Sequence, residues 1–238
     1  MSHQANHRHR APSPGRRRLA ATVLATVAAT TVTAALYWAA DREGKATAAA
    51  GPGSFTTARA HLGTGRGPTG ASDVMRYRVQ VEDGVDLNAE KAALAIRKVL
   101  ADPRGWTADG ESGFEPVATG AVDFTVKIAT PGTVDKLCGA AGLDTGGEVN
   151  CTVGNDVIVN LKRWQSGSPQ FKGPITEYRA LIINHEVGHR LGHGHETCPR
   201  EGAPAPVMMQ QIKGLKGCVA NAWPYDRDGT YVAGPAVP

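Results

Sequence analysis

The chain has 238 residues, 41% of them hydrophobic and 20% charged, which suits one good-sized folded domain with appendages. Its formal net charge is +4, yet Arg8, Arg10, Arg16, Arg17 and Arg18 all lie in the first eighteen residues, without an acidic neighbour. Removing these five from the 26 Lys+Arg leaves 21 against 22 Asp+Glu, so the folded part carries no basic bias and composition gives no reason to expect a nucleic-acid partner.

Taken in chain order, residues 1–18 are a basic tail, expected on the cytoplasmic side. Residues 19–40, LAATVLATVAATTVTAALYWAA, contain no charged residue. In helical form they would span about 33 Å, enough for the hydrocarbon layer of a bilayer. The arginine cluster before them and Tyr37 and Trp38 at their far end fit an N-in, C-out membrane anchor. The rival is a cleaved signal peptide, against which Tyr37 and Trp38 stand, because small residues are expected just before a cut. Either way, the remainder faces outside the membrane, as an anchored or a secreted protein. Residues 41–72, rich in Ala, Gly, Thr and Pro, read as a flexible linker. A domain over 73–238 follows.

Within that domain, Tyr77, Val79 and Val81 alternate as in a half-buried strand. Leu87, Ala93, Leu94, Ile96 and Leu100 then recur at mostly helical spacing, with Asp86 or Asn88 as the cap. A second strand over 121–130 completes a βαβ-like opening. TVDKLCG reads as a helical turn, VNCTV as a short strand, and residues 155–164, NDVIVNLKRW, as a further strand. Residues 175–191 form the best helix of the chain. The expected fold is α/β (α+β): a twisted mixed sheet with helices and a small irregular C-terminal part.

That helix ends in histidines. His185 and His189, one turn apart on one stripe, lie about 6 Å apart along the axis and can reach a single ion. Glu186 points roughly 100° around the helix, beside that ion, where its carboxylate can take a proton from a bound water. A continued helix would put His193 about 12 Å beyond His185, too far to share the ion. Gly192 offers a left-handed residue that turns the chain, and His195 can then fold back beneath the metal as third ligand. His193 is left facing solvent or the surroundings of the ligands. Three ligands with one open position are the pattern of a catalytic zinc site.

His185-Glu186-x-x-His189-x-x-Gly192-x-x-His195 resembles the extended zinc signature of the metzincin metallopeptidases, with every fixed position present. The export signal together with this motif also resembles metzincin-like exported proteins of high-GC actinobacteria. The resemblance implies a metzincin-like sheet with an active-site helix, one catalytic Zn2+ on His185, His189 and His195, and Glu186 as general base. It also implies a methionine turn beneath the metal, for which APVMMQ offers Met208 or Met209. Some metzincins carry a tyrosine two residues after that methionine; here Gln210 or Gln211 stands there, and Tyr225 and Tyr231 read as packing residues before they read as substitutes for it. In the resembled family an edge strand near the helix receives substrate. The strand over 155–164 could be that edge or an interior strand.

The expected function is an extracytoplasmic zinc endopeptidase that hydrolyses peptide bonds by Glu-assisted attack of zinc-bound water. Its partners are a peptide or protein substrate and, through the N-terminal helix, the membrane. The alternatives are a non-catalytic binding module braced by zinc and a hydrolase restricted to cell-wall peptides. Cys138, Cys151, Cys198 and Cys218 all follow the anchor, and an even number in an exported chain points to disulfides. Three connectivities are open. Neighbour pairing is the simplest, and a Cys198–Cys218 bridge would hold the third ligand and the methionine turn in register.

Overall fold

The computed structural model describes residues 53–59 and 71–237. The basic tail, the expected membrane segment at 19–40 and most of the linker lie outside the described residues. Among those described, no helix is long and apolar enough to cross a membrane.

Six strands form one mixed sheet: β1 (Phe55–Thr57), β2 (Asp73–Glu82), β3 (Ser112–Pro116), β4 (Phe124–Ala129), β5 (Cys151–Val153) and β6 (Asp156–Asn160). Their order is β1-β2-β4-β6-β5, with β3 also paired to β2. β2, β4 and β6 run parallel, and β5 returns antiparallel on β6 as an edge. On its other side β2 is shared, β3 covering Asp73–Tyr77 in parallel and β1 pairing antiparallel with Gln80–Glu82. Among the described residues four α-helices accompany the sheet: α1 (Ala89–Leu100), α2 (Pro131–Gly139), α3 (Leu161–Ser166) and α4 (Ile175–Arg190). The α+β architecture expected from the sequence is what the chain adopts.

Parallel register places the alternating apolar side chains in rows across the sheet. Val79, Val126 and Val157 are register partners, and so are Val81, Ile128 and Val159; all six are buried. Against that face pack Ile96, Val99 and Leu100 of α1 and Tyr178, Leu181, Ile183 and Val187 of α4. On the opposite face α2 packs Val134 and Cys138 against Ala129, Cys151 and Ile158. α1 starts at Asn88, whose side chain accepts from the Lys91 backbone N–H at 2.9 Å. Its buried stripe includes Ala92 and Val99, while Leu94, expected on the inner face, is 46% exposed.

Several boundaries differ from the sequence reading. Phe55–Thr57 lies within the stretch read as linker but pairs with β2, so the sheet begins before residue 73. Residues 155–164 are not one strand: the ladder ends at Asn160, whose side chain caps α3 by accepting from the Lys162 N–H. β6 pairs on both sides and is interior; the edge is β5. β3, with Gly113 and Pro116, has no alternation to announce it. After Arg190 the described residues hold only isolated bridges and one short 3-10 turn, Gln211–Lys213, around a small cluster of Ala203, Ala205, Met209 and Cys218. The cysteines pair as neighbours, Cys138–Cys151 and Cys198–Cys218.

Candidate metal centre

α4 ends as its sequence directs. Gly192 sits at φ 90°, the left-handed region that suits glycine. The His193 N–H reaches back to the Gly188 carbonyl at 2.9 Å and the Gly192 N–H to that of His189 at 3.1 Å. This pair of bonds is the Schellman termination, and it reverses the chain so that His195 returns toward the helix. The candidate ligand atoms of His185, His189 and His195 all lie within 4.8 Å of one another. Among the described residues no other such group of metal-binding side chains occurs.

Two of the three imidazoles are held by backbone carbonyls. His185 Nδ1 lies 2.8 Å from the Val207 carbonyl, and His189 Nδ1 lies 2.9 Å from that of His193. A carbonyl oxygen can only accept, so each Nδ1 carries the proton and each Nε2 keeps its lone pair for a metal. Desolvation, together with the neighbouring His189 and His195, pushes the His185 pKa down to about 3. Burial lowers His189 as well, and burial with His189 and Lys213 nearby lowers His195. All three rings are therefore neutral at neutral pH, the form that ligates. Neutral imidazoles, two of them with fixed tautomers, fit a borderline-soft divalent ion such as zinc.

Glu186 is 5% exposed, and burial pushes its pKa up to about 7 against a hydrogen bond from Thr152. It borders a cavity of about 580 Å³ together with all three histidines. Leu181 and Ile182 of α4, Thr152 of β5, and Met209 and Ile212 of the C-terminal segment also line it. Met209 thus faces the histidine cavity, while Met208 is fully buried behind α4. A Cβ built on Gly188 would come within 2.4 Å of the Met208 sulfur and 2.7 Å of Trp106 Cζ2, so glycine is required for both to approach the helix.

The remaining expected residues take supporting places. The His193 ring stacks on Trp106, with centroids 4.3 Å apart, and does not join the ligand cluster. The Tyr231 hydroxyl donates to Glu196 at 3.0 Å, and Tyr225 meets Tyr231 edge-on. Neither tyrosine lines the cavity. The Cys198–Cys218 bridge spans 20 residues and encloses the Met208–Met209 turn.

Sequence reasoning missed Thr152, Gly188 and Trp106. Gly188 carried a signal, a glycine inside a strong helix, whereas Thr152 and Trp106 reach the centre through contacts that leave no local pattern. The C-terminal segment was missed too. The Val237 N–H donates to the His195 carbonyl at 3.0 Å and the Thr197 N–H to that of Pro235 at 2.9 Å. Glu196 meanwhile accepts from the Gly234 N–H at 2.7 Å. Residues 42–231 match the family described as "Protein of unknown function (DUF3152)". No curated protein matches the chain.

Proposed function

The chain belongs to the DUF3152 family, and we propose that it is a zinc-dependent peptidase of metzincin-like type, acting outside the membrane. The observation that carries this reading is one juxtaposition. Three neutral imidazoles, two with Nδ1 anchored on carbonyls, converge beside a buried carboxylate at the wall of a cavity. His193 stacks on Trp106 instead of supplying a fourth ligand, which favours a catalytic over a closed structural site. The two disulfides support an extracytoplasmic address.

His185, His189 and His195 would hold the ion. Bound there, zinc would polarise the scissile carbonyl and acidify a water for attack. Glu186 would take the proton from that water and deliver it to the departing amine nitrogen. Leu181 and Ile182 offer an apolar wall to a substrate side chain. β5, the free edge beside the cavity, offers its backbone to an extended peptide as an added strand.

The test is metal analysis of the purified full chain with a broad peptide-library cleavage assay, with and without chelator. One equivalent of zinc and chelator-sensitive cleavage are expected, with Glu186→Gln retaining the metal and losing hydrolysis. Undiminished hydrolysis by Glu186→Gln would overturn the mechanism, and cleavage of cell-wall peptides alone would narrow the substrate.

A further inference from the structure

Glu186 is buried, and its carboxylate accepts a side-chain hydrogen bond from Thr152. The Thr152 hydroxyl sits 2.9 Å from Glu186 Oε2 and 3.0 Å from the backbone carbonyl of the same residue. It comes from β5, 34 residues away in sequence. Two constraints fix that strand. Cys151, one residue before, is bridged to Cys138 of α2, and Thr152 itself is the register partner of Val157 in interior β6. The threonine side chain adds a third constraint, since branching at Cβ restricts its χ1.

We propose that Thr152 is a positioning residue for Glu186, holding one carboxylate oxygen so that the other faces the cavity. The inference rests on the peptidase reading of the same centre. A glutamate has three rotatable side-chain bonds, and at the end of a helix wall nothing in its own sequence selects one orientation. A hydroxyl on Oε2 selects it and leaves Oε1 free for the reacting water. The proton taken from the water lands on Oε1, and Oε2 remains an acceptor for the hydroxyl whether Glu186 is ionised or protonated, so the contact survives while a proton is carried. A lysine or arginine in that place could also donate, but its charge would favour the ionised form throughout. The second contact, to the Glu186 carbonyl, draws on the same single hydroxyl hydrogen, and the ionised carboxylate is the stronger of the two acceptors.

The experiment compares wild type with Thr152→Val, Thr152→Ser and Thr152→Ala for kcat, KM and bound zinc. It adds the melting temperature of chelated protein with Thr152→Val in wild-type and Glu186→Ala backgrounds. Loss of the hydroxyl should lower kcat about ten- to a hundredfold, the usual effect of removing a supporting partner, with KM and zinc content unchanged. Serine should restore most of the rate. The fall in melting temperature caused by Thr152→Val should be smaller when Glu186 is already alanine, because the carboxylate contact is then absent and only the carbonyl contact remains. Wild-type kcat in Thr152→Val and Thr152→Ala, a serine variant as slow as valine, or equal melting losses in both backgrounds would overturn the proposal. Should valine prevent folding, the alanine and serine pair carries the comparison. A wild-type chain that binds zinc and cleaves nothing would overturn the peptidase reading instead, and the melting comparison would still decide whether the hydroxyl holds the carboxylate.

Discussion

Four histidines in eleven residues have three different fates, and their backbone neighbours decide which. His185 and His189 are presented by the helix, and each has its tautomer set by a carbonyl from elsewhere, Val207 and His193. His193 serves through that carbonyl and through its ring on Trp106, whereas His195 enters the ligand cluster with its side chain. His195→Ala should therefore abolish stoichiometric zinc binding. His193→Ala keeps the carbonyl and should cost far less affinity, with a modest loss of stability from the missing ring stack. Competition with a chromogenic chelator measures both, and equal losses in the two variants would refute the division. The convergence of His185, His189 and His195 was legible in sequence because helix rise and a left-handed glycine are local properties. The use of the His193 carbonyl was not, since every residue has one.

At the scale of elements, α4 carries two of the candidate ligands and the proposed base, but the third candidate ligand depends on a loop with no regular structure. The loop between Cys198 and Cys218 holds the methionine turn and delivers the Val207 carbonyl to His185. Cross-linking a loop of this length is worth about 3 kcal/mol through the entropy of the unfolded chain. The double variant Cys198→Ser/Cys218→Ser should lose about that much stability in denaturant titration and bind zinc more weakly. Removing Cys138–Cys151 should instead act through β5. Unchanged zinc affinity in the Cys198/Cys218 variant would show that hydrogen bonds alone hold the loop. The strands β2 and β4 were legible because their alternation places valines on one face. β3 was not, because Gly113 and Pro116 interrupt any pattern and its partner β2 alone specifies it. The strand read over 155–164 stopped at Asn160 because its side chain caps a helix, a contact that alternation does not encode.

On the scale of the whole molecule, the C-terminal residues are tied to the segment that carries His195. Residues 231–237 bond to the chain from His195 to Thr197 through Val237, Pro235 and the Glu196 carboxylate, though none of 232–237 joins a core cluster. Gly234 is required there, since a Cβ would come within 2.1 Å of the Thr197 carbonyl oxygen. A chain ending at Thr230 should keep the sheet and its far-ultraviolet circular dichroism. It should bind zinc about ten- to a hundredfold more weakly, although no ligand is removed. Full affinity in the truncated chain would show that His195 holds its place unaided. The sequence by itself determined the α+β class, the helix with its glycine stop, the three histidines and the glutamate, because each rests on periodicity or spacing within a few turns of chain. Only the tertiary structure decided which strand forms the edge, which methionine faces the cavity and which hydroxyl meets Glu186. It also decided that the last residues brace the third histidine. Those contacts join segments tens of residues apart, and such pairings are chosen by the packing of the whole domain.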